Sequence, residues 1–255
     1  MTTIFDSYTT ASGVTLPNRL VKAAMAEDMA GGRMLPTQRV INLYRAWAQG
    51  GTGLLITGHI MVDPEYLSDP SDIAVIGHSD LSPFRAWADA VHAGGSKLMA
   101  QINHPGRQVQ SNMPGEPIAP SAIAVKLGSR RGMFSTPRPM TEEDIERTIE
   151  HFAQTASLLA QSGFDGVEIH AAHGYLFSQF LSPLTNQVPP KRNRTDPWEH
   201  DRDAYRGRNI VERLFCRMKQ YRKAATRYDR LDGTFLANLM LVLITMYLKD
   251  TTRTN

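Results

Sequence analysis

Two histidines and a tyrosine lie close together in GFDGVEIHAAHGYL, residues 163–176: His170, His173 and Tyr175. Three interpretations of this group compete. The histidine pair could ligate zinc, although a catalytic zinc usually takes three protein ligands and no H-E-x-x-H motif is present. The rings could instead be structural, with their nitrogens satisfied in the core. They could also be paired donors that hold a carbonyl oxygen or a phenolate, with Tyr175 as the proton donor.

Alternating strand and helix patterns must position this group. Short apolar runs of strand length are typical of buried parallel strands. They fall at Arg19–Met25, Gly53–Gly58, Lys97–Ile102 and Asp165–His170. Apolar residues at spacings of three and four predict helices at 37–49, 81–93 and 142–161. The chain is therefore predicted to repeat a β-α unit four times.

Repeated β-α units give either a doubly wound sheet or a (β/α)8 barrel. The first predicted strand is followed by AEDMAGG, so the G-x-G-x-x-G turn of a dinucleotide-binding sheet is absent. In a barrel, active-site residues lie at the carboxyl ends of the strands. Polar and special residues fall at the ends of the four predicted strands: Met25 to Asp28, then His59, then Asn103 and His104, and finally His170 and His173.

The cysteine count and the apolar segments of the sequence indicate in which cellular compartment the protein is expected. The chain has 255 residues and one cysteine, Cys216, so no intramolecular disulfide can form. The sequence from Met1 lacks the charged and apolar regions of a signal peptide, which predicts a cytoplasmic protein. The apolar stretch Thr234–Leu248 is shorter than the roughly 20 residues that span a bilayer and contains Asn238. We interpret it as a buried helix and expect no membrane contact.

The balance of basic and acidic residues changes sign near Gln187. Residues 188–255 contain 15 Lys and Arg against 8 Asp and Glu, whereas residues 1–187 contain 13 against 17. A basic segment commonly meets polyanions, but it can equally be a solvated face without a partner. Charge alone leaves both interpretations open.

Four ordered segments carry a family resemblance: LPNRLVKAAM, GLLITGHIMVDP, QINHPGRQ and GFDGVEIHAAHGYLFSQFLSPLTN. Together they closely resemble the Old Yellow Enzyme family of NAD(P)H:flavin oxidoreductases, over about residues 1–187. The resemblance implies a (β/α)8 barrel that holds FMN non-covalently at its mouth. It also implies that NADH or NADPH reduces the flavin, which then passes hydride to the β-carbon of an activated, enone-like alkene.

The resemblance also assigns roles to single residues. Six match the family's flavin contacts: Ala23, Ala24 and Met25 in the first-strand segment, Gly58 and His59 at the second strand, and Gln101 at the third. Gln101 corresponds to the glutamine that hydrogen-bonds the pyrimidine edge of the ring. His170 and His173 resemble the pair that binds the substrate carbonyl oxygen, and Tyr175 the proton donor to the α-carbon. Ala26 departs from the polar or thiol residue that many members have near the flavin.

After Gln187 the resemblance ends, so the sequence predicts a truncated barrel of about four β/α units followed by a mainly helical basic tail, residues 188–255. This tail resembles the C-terminal end of a DDE-type insertion-sequence transposase, with an amphipathic helix at Asn209–Tyr221. By that resemblance Glu212 would be the third acidic residue of a two-metal site. The two preceding aspartates are missing, so we expect no metal site.

Three functional hypotheses follow. The first is an FMN-dependent oxidoreductase that reduces activated C=C bonds, impaired by truncation. The second is a transposase remnant whose basic tail binds DNA weakly, non-specifically and in a salt-dependent way. The third is an inactive fusion relic whose exposed core promotes aggregation or degradation.

Overall fold

The computed structural model describes residues 3–10, 13–125 and 133–181, all of which belong to one compact unit, Met1–Thr185. The predictions for residues 188–255, including the helix at 209–221, Glu212 and the apolar stretch at 234–248, lie outside the described residues. Within the described part, no helix is long and apolar enough to cross a membrane.

Nine strands occur in the described residues, and six of them are only two residues long. They are β1 (Tyr8–Thr9), β2 (Thr15–Leu16), β3 (Val21–Lys22), β4 (Leu54–Met61), β5 (Ile73–Ala74), β6 (Lys97–Asn103), β7 (Ile118–Ala119), β8 (Arg138–Pro139) and β9 (Gly166–Ile169). The pair β1–β2 is antiparallel and the pair β7–β8 is parallel.

The main sheet is parallel and its strand order, β3-β4-β6-β9, follows the order of the chain. β5 pairs with the end of β4. A doubly wound sheet reverses its strand order at the ligand site, and no reversal occurs among these strands. Sequential parallel strands are instead the arrangement of a barrel wall, so the sheet favours the barrel over the doubly wound alternative.

Helices connect these strands: α1 (Gln38–Gln49), α2 (Ser82–His92), α3 (Glu142–Gln161) and the short α4 (Leu176–Leu181). Each of the first three buries one face, as their apolar periodicity predicts. α3 begins with a capping box: Thr141 Oγ1 accepts from the Asp144 backbone N–H, and Asp144 Oδ2 accepts from the Thr141 backbone N–H. Gly95 and Gly163, with φ of 82° and 89°, follow the ends of α2 and α3.

The core lies between the helices and the sheet. Tyr44 of α1 and Trp87 of α2 are fully buried, and their rings meet edge to face with centroids 4.9 Å apart. Phe164, just before β9, packs against the other side of Trp87 at 5.8 Å. These aromatic contacts fix α1 and α2 against the sheet and so hold the carboxyl ends of the strands in place.

Two predicted strand boundaries were wrong. β3 contains only Val21 and Lys22, not Arg19–Met25, because the chain leaves the sheet after Lys22. His59 was predicted to follow the second strand, but β4 continues to Met61 and includes it. The extension arises because β4 pairs with β6 as far as Met61 and also with β5, past an irregularity in the register between Ile56 and His59.

Candidate functional site

His170 is the first residue after β9, and the loop that follows turns back on it. The turn contains His173 and Gly174 in the left-handed region, with φ of 56° and 75°. Histidine is one of the few residues other than glycine that tolerate this conformation. As a result, His170 Nε2 and His173 Nδ1 lie 3.4 Å apart, and the Tyr175 ring meets the His170 ring edge to face at 4.8 Å.

His170 is 5 % exposed, and this burial, reinforced by the nearby His173 and His59, lowers its pKa to about 4. The ring is therefore neutral at neutral pH. Its Nδ1 accepts a 3.3 Å hydrogen bond from the backbone N–H of Ala172, which leaves the proton on Nε2. His170 Nε2 is thus a neutral hydrogen-bond donor that faces His173 Nδ1.

Two glutamines that the sequence analysis did not single out hold this loop. Gln108 donates a 2.7 Å hydrogen bond from Nε2 to the carbonyl oxygen of His173. Gln179, on α4, is 2 % exposed and connects the loop to the turn that follows β6. In that turn Gly106 has φ of 58°, and a Cβ there would overlap the Gln179 amide. The close approach therefore requires glycine at this position.

Arg107, which follows the Pro105–Gly106 turn, anchors a neighbouring segment. Its Nη1 donates a 3.3 Å hydrogen bond to the carbonyl oxygen of Ile123, in the long excursion between β6 and α3. Its backbone N–H donates to Gln179 Oε1 at 3.2 Å. We assign it no catalytic role.

The segment after β3 crosses directly over β4. Gly58 N–H donates to Glu27 Oε2 at 3.1 Å, and a Cβ at Gly58 would overlap Glu27 and the carbonyl oxygen of Met25. Glu27, whose side chain is 5 % exposed, also accepts a 2.9 Å bond from Lys22 Nζ and a hydrogen bond from Tyr44. This buried ion pair fixes the segment that contains Ala23, Ala24 and Met25.

Apolar side chains of that segment remain accessible. Ala23 is exposed, Ala24 is half-buried and Met25 is 56 % exposed. A large apolar side chain that is accessible beside rigid strand ends is available to pack against a bound molecule.

Gln101 lies on β6 opposite His59 of β4 on one side and Glu168 of β9 on the other. Its Nε2 donates a 2.6 Å hydrogen bond to Glu168 Oε1, and its backbone N–H donates to Thr57 Oγ1 at 3.1 Å. No described residue donates a hydrogen bond to the Gln101 side-chain oxygen, which therefore stays available as an acceptor.

The His59 ring lies 5.8 Å from the ring of Tyr175. It therefore approaches the loop that contains His170, His173 and Tyr175, which we call the histidine loop. Its Nε2 lies 3.2 Å from Asp72 Oδ1 and 3.3 Å from Ser68 Oγ. His59 thus connects the strand-end residues Gly58 and Gln101 with the loop that contains His170 and Tyr175. Across the described ranges, no group of three or more His, Cys, Asp or Glu side chains could hold a metal ion.

Residues 3–212 match the family described as NADH:flavin oxidoreductase / NADH oxidase. This match covers most of the chain, including every residue of the site above. The chain belongs to this NADH:flavin oxidoreductase family. Members of the family are enzymes that use FMN, with NADH or NADPH as electron donor.

Relatives and solved structures of the flavin oxidoreductase family extend the likeness. The chain is 41 % identical over 219 residues to the NADH-dependent flavin oxidoreductase iliE of Neonectria sp., covering 79 % of this chain and 28 % of that protein. It is 38 % identical over 187 residues to an NADPH dehydrogenase of Halalkalibacterium halodurans, covering 72 % and 52 %. The Old Yellow Enzyme homologue of Zymomonas mobilis superposes with a TM-score of 0.66 and 26 % identity, covering 84 % of this chain and 60 % of that structure.

These coverages show that the chain spans about half or less of the two curated relatives it matches. The family match also continues through residues 188–212, to Glu212 itself. The comparisons give no support to the transposase resemblance proposed for that segment.

The site's chemistry fits an isoalloxazine ring. Accessible Met25 and Ala23 offer apolar contact, and the free side-chain oxygen of Gln101 can accept from an imide N–H. Gly58 lets the segment that contains Met25 lie directly against β4, because any side chain there would displace that segment. Bound FMN would supply hydride chemistry at this site.

Proposed function

We propose that this chain carries the flavin-facing and substrate-binding half of an FMN-dependent NAD(P)H oxidoreductase that reduces activated C=C bonds. The observation that carries the proposal is the pairing of a neutral, Nε2-protonated His170 with His173, beside the hydroxyl of Tyr175. Both histidines can donate to one oxygen, and a phenol can supply a proton next to it.

This donor set suits an α,β-unsaturated carbonyl compound. Two imidazole N–H groups that bind the carbonyl oxygen stabilise the negative charge that develops there when hydride reaches the β-carbon. Tyr175 can then protonate the α-carbon. The histidine pair is also suited to bind a phenolate, whose charged oxygen accepts two hydrogen bonds. We therefore propose a small enone-like substrate and phenols as competing ligands.

For the cofactor, we propose that Met25, Ala23 and Ala24 contact the face of the flavin ring and that Gln101 binds its pyrimidine edge. Gly58 and His59 would lie beside them at the strand ends. The FMN phosphate would be bound by later β/α units, as in barrels whose phosphate site follows the seventh and eighth strands. Whether residues 182–255 contribute to that part is tested directly by reconstitution.

The decisive experiment is reconstitution of the purified full chain with FMN. We expect flavin absorbance that persists after desalting, bleaching by NADH or NADPH without oxygen, and recovery of absorbance when a cyclic enone is added. A chain that retains no flavin would contradict the cofactor proposal. Bleaching without recovery on enone addition would leave a flavin reductase and remove the alkene substrate.

The matched controls are His170→Ala and His78→Ala. His78 is an exposed histidine outside the loop, so its replacement removes an imidazole without touching the site. We expect enone-dependent recovery to slow in His170→Ala and to stay at the parent rate in His78→Ala. Equal loss in both variants would show that the histidine pair has no special role.

The second hypothesis, DNA binding by the basic segment 188–255, is tested by a gel-shift series against salt. Binding that weakens steeply with salt would support it, and no binding at low salt would remove it. A circular dichroism melt addresses the inactive-relic hypothesis, since a cooperative transition requires a native core.

A further inference from the structure

A row of three polar residues crosses the sheet at the level of the candidate flavin site. His59 of β4, Gln101 of β6 and Glu168 of β9 are paired in register. Residues that are paired on neighbouring strands present their side chains to the same face of a sheet. Glu168 therefore places a carboxylate beside Gln101, the residue proposed to bind the pyrimidine edge of the flavin.

The backbone of Gln101 is fixed independently of its side chain. Its N–H donates a 3.1 Å hydrogen bond to the side-chain oxygen of Thr57, which is fully buried. His59, on the other side of Gln101, has its Nε2 3.2 Å from Asp72 Oδ1. Among the described residues, Glu168 is thus the only one that hydrogen-bonds the Gln101 side chain.

The hydrogen bond from Glu168 determines which end of the Gln101 amide stays free. Gln101 Nε2 donates to Glu168 Oε1 at 2.6 Å. This distance is shorter than the roughly 2.9–3.0 Å that is usual between neutral partners, as expected for a charged acceptor. A carboxylate can only accept, so a rotated amide would set Gln101 Oε1 against another acceptor. Glu168 therefore keeps Nε2 on its own side and leaves Oε1 to accept a hydrogen bond from a ligand.

The charge of Glu168 has no counter-charge in the part of the chain that the structure describes. The residue is half-buried, and no described Lys, Arg or His side chain forms an ion pair with it. A carboxylate that accepts from Nε2 polarises the Gln101 amide, which makes Oε1 a stronger acceptor. The same carboxylate disfavours negative charge on a ring that is bound at Oε1.

We propose that Glu168 is a positioning residue for the flavin, which holds the Gln101 amide with Oε1 free for an imide N–H and sets the charge at the pyrimidine edge. The proposal rests on the proposed function, because FMN is the ligand that supplies this imide. Its two effects are separable. The hydrogen bond selects ligands with an N–H at this edge, and the charge disfavours the negative charge that a flavin gains when two electrons and one proton reduce it.

The first test compares FMN with FMN methylated at N3, which lacks the imide N–H. Fluorescence titration of the flavin-free full chain gives both dissociation constants, and the value for the methylated flavin divided by that for FMN reports recognition of the N–H. We expect this ratio to be about threefold to tenfold smaller in Glu168→Gln than in the parent, since a neutral side chain no longer fixes the orientation of Gln101. Glu168→Asp, which keeps the charge but has a shorter reach, should lower the ratio as well.

The second test measures the midpoint potential of bound FMN. We expect a more positive potential in Glu168→Gln, because the negative charge near the ring is removed, and the parent potential in Glu168→Asp, which retains that charge. Glu150→Gln is the matched control: Glu150 is exposed on α3, and its replacement should change neither the potential nor the ratio. A residue that only stabilised β9 would not affect the potential and the ratio in these different ways.

A third measurement needs no cofactor. The flavin-free full chain is labelled with ¹⁵N-glutamine, and the side-chain amide signal of Gln101 is identified by its loss in Gln101→Met. We expect this signal to move in Glu168→Asp, which adds no further glutamine, because the hydrogen bond to Nε2 is weakened. It should stay in place in Glu150→Asp.

An unmoved Gln101 signal in folded Glu168→Asp would overturn the proposal, and so would a ratio or a potential in Glu168→Gln that equals the parent value. A moved signal in a chain that binds no FMN would support the positioning of Gln101 and contradict only the proposed function. A melt verifies that each variant folds. If Glu168→Gln unfolds, Glu168→Asp still tests the proposal through the ratio and the amide signal.

Discussion

Gln179 Nε2 donates a 3.1 Å hydrogen bond to the carbonyl oxygen of Pro105, which joins α4 to the turn after β6. The same nitrogen donates to the Gly174 carbonyl oxygen at 2.8 Å, and Oε1 accepts from Arg107 N–H at 3.2 Å. One buried amide therefore satisfies three backbone groups from two loops. The position of the histidine loop relative to β6 depends on this side chain.

Replacing Gln179 by leucine keeps the side-chain size but removes both hydrogen-bonding ends. Three backbone groups would be left buried without a partner, and we expect the free energy of unfolding to fall by about 2–4 kcal/mol. Denaturant melts of the full chain measure this loss. Gln161→Leu is the control: Gln161 is exposed, so the change there should stay within about 0.5 kcal/mol. Equal free energies of unfolding for the two variants would refute the role of Gln179.

His170 offers a prediction on ligand binding. Removal of its Nε2–H donor in His170→Ala should weaken the binding of a para-substituted phenolate by about 1.5–3 kcal/mol, the value of a hydrogen bond to a charged group. This corresponds to a dissociation constant roughly tenfold to a hundredfold higher. Calorimetric titration of the FMN-loaded chain measures it. His78→Ala should bind the phenolate as the parent does, and a similar weakening there would point to a general effect.

The proximity of the histidine pair and Tyr175 could be predicted from the sequence because they are neighbours in one short segment. The same is true of α3, whose range 142–161 was predicted correctly from its local apolar periodicity. The site residues that were missed have partners far away in sequence. Gln179 contacts Pro105, and Glu27 contacts Gly58, so neither residue shows its role in any local pattern.

Strand boundaries were less predictable because pairing decides them. The apolar run from Arg19 to Met25 has strand character, but the chain leaves the sheet after Lys22 so that Glu27 can reach Gly58. β4 continues through His59 because β5 supplies an additional parallel partner at Ile60 and Met61. Composition cannot reveal either cause, since each depends on a residue distant in the chain.

The buried ion pair of Lys22 and Glu27 gives a stability prediction. Their side chains are 14 % and 5 % exposed, so Glu27→Gln leaves a buried ammonium without its counter-charge. We expect a loss of about 3–5 kcal/mol in unfolding free energy. Glu65→Gln, at an exposed carboxylate, should change it by less than about 0.5 kcal/mol.

A second variant separates the lost pair from a general defect in this region. In the double variant Lys22→Met, Glu27→Gln the buried charge is absent, so much of the loss should be recovered. Denaturant melts at neutral pH compare the three chains. No recovery in the double variant would mean that the ion pair is not the cause.

The charge of Asp144 should make the free energy of unfolding depend on pH. The Arg138 guanidinium, 2.7 Å from its Oδ2, and the Thr141 hydrogen bonds of the helix cap lower its pKa to about 2. A carboxyl whose pKa is lower in the folded chain stabilises it above the ordinary value near 4. That contribution is lost as the pH falls through the folded value. In denaturant melts at neutral pH, the free energy of unfolding of the parent should exceed that of Asp144→Asn by about 1–2 kcal/mol. This difference should become smaller between about pH 4 and pH 2, where Asp144 of the folded parent becomes protonated.

Glu146→Gln is the control, because Glu146 is exposed in the same helix. Its difference from the parent should not change over this pH range. A constant gap for Asp144→Asn across this range would mean that its charge does not stabilise the cap.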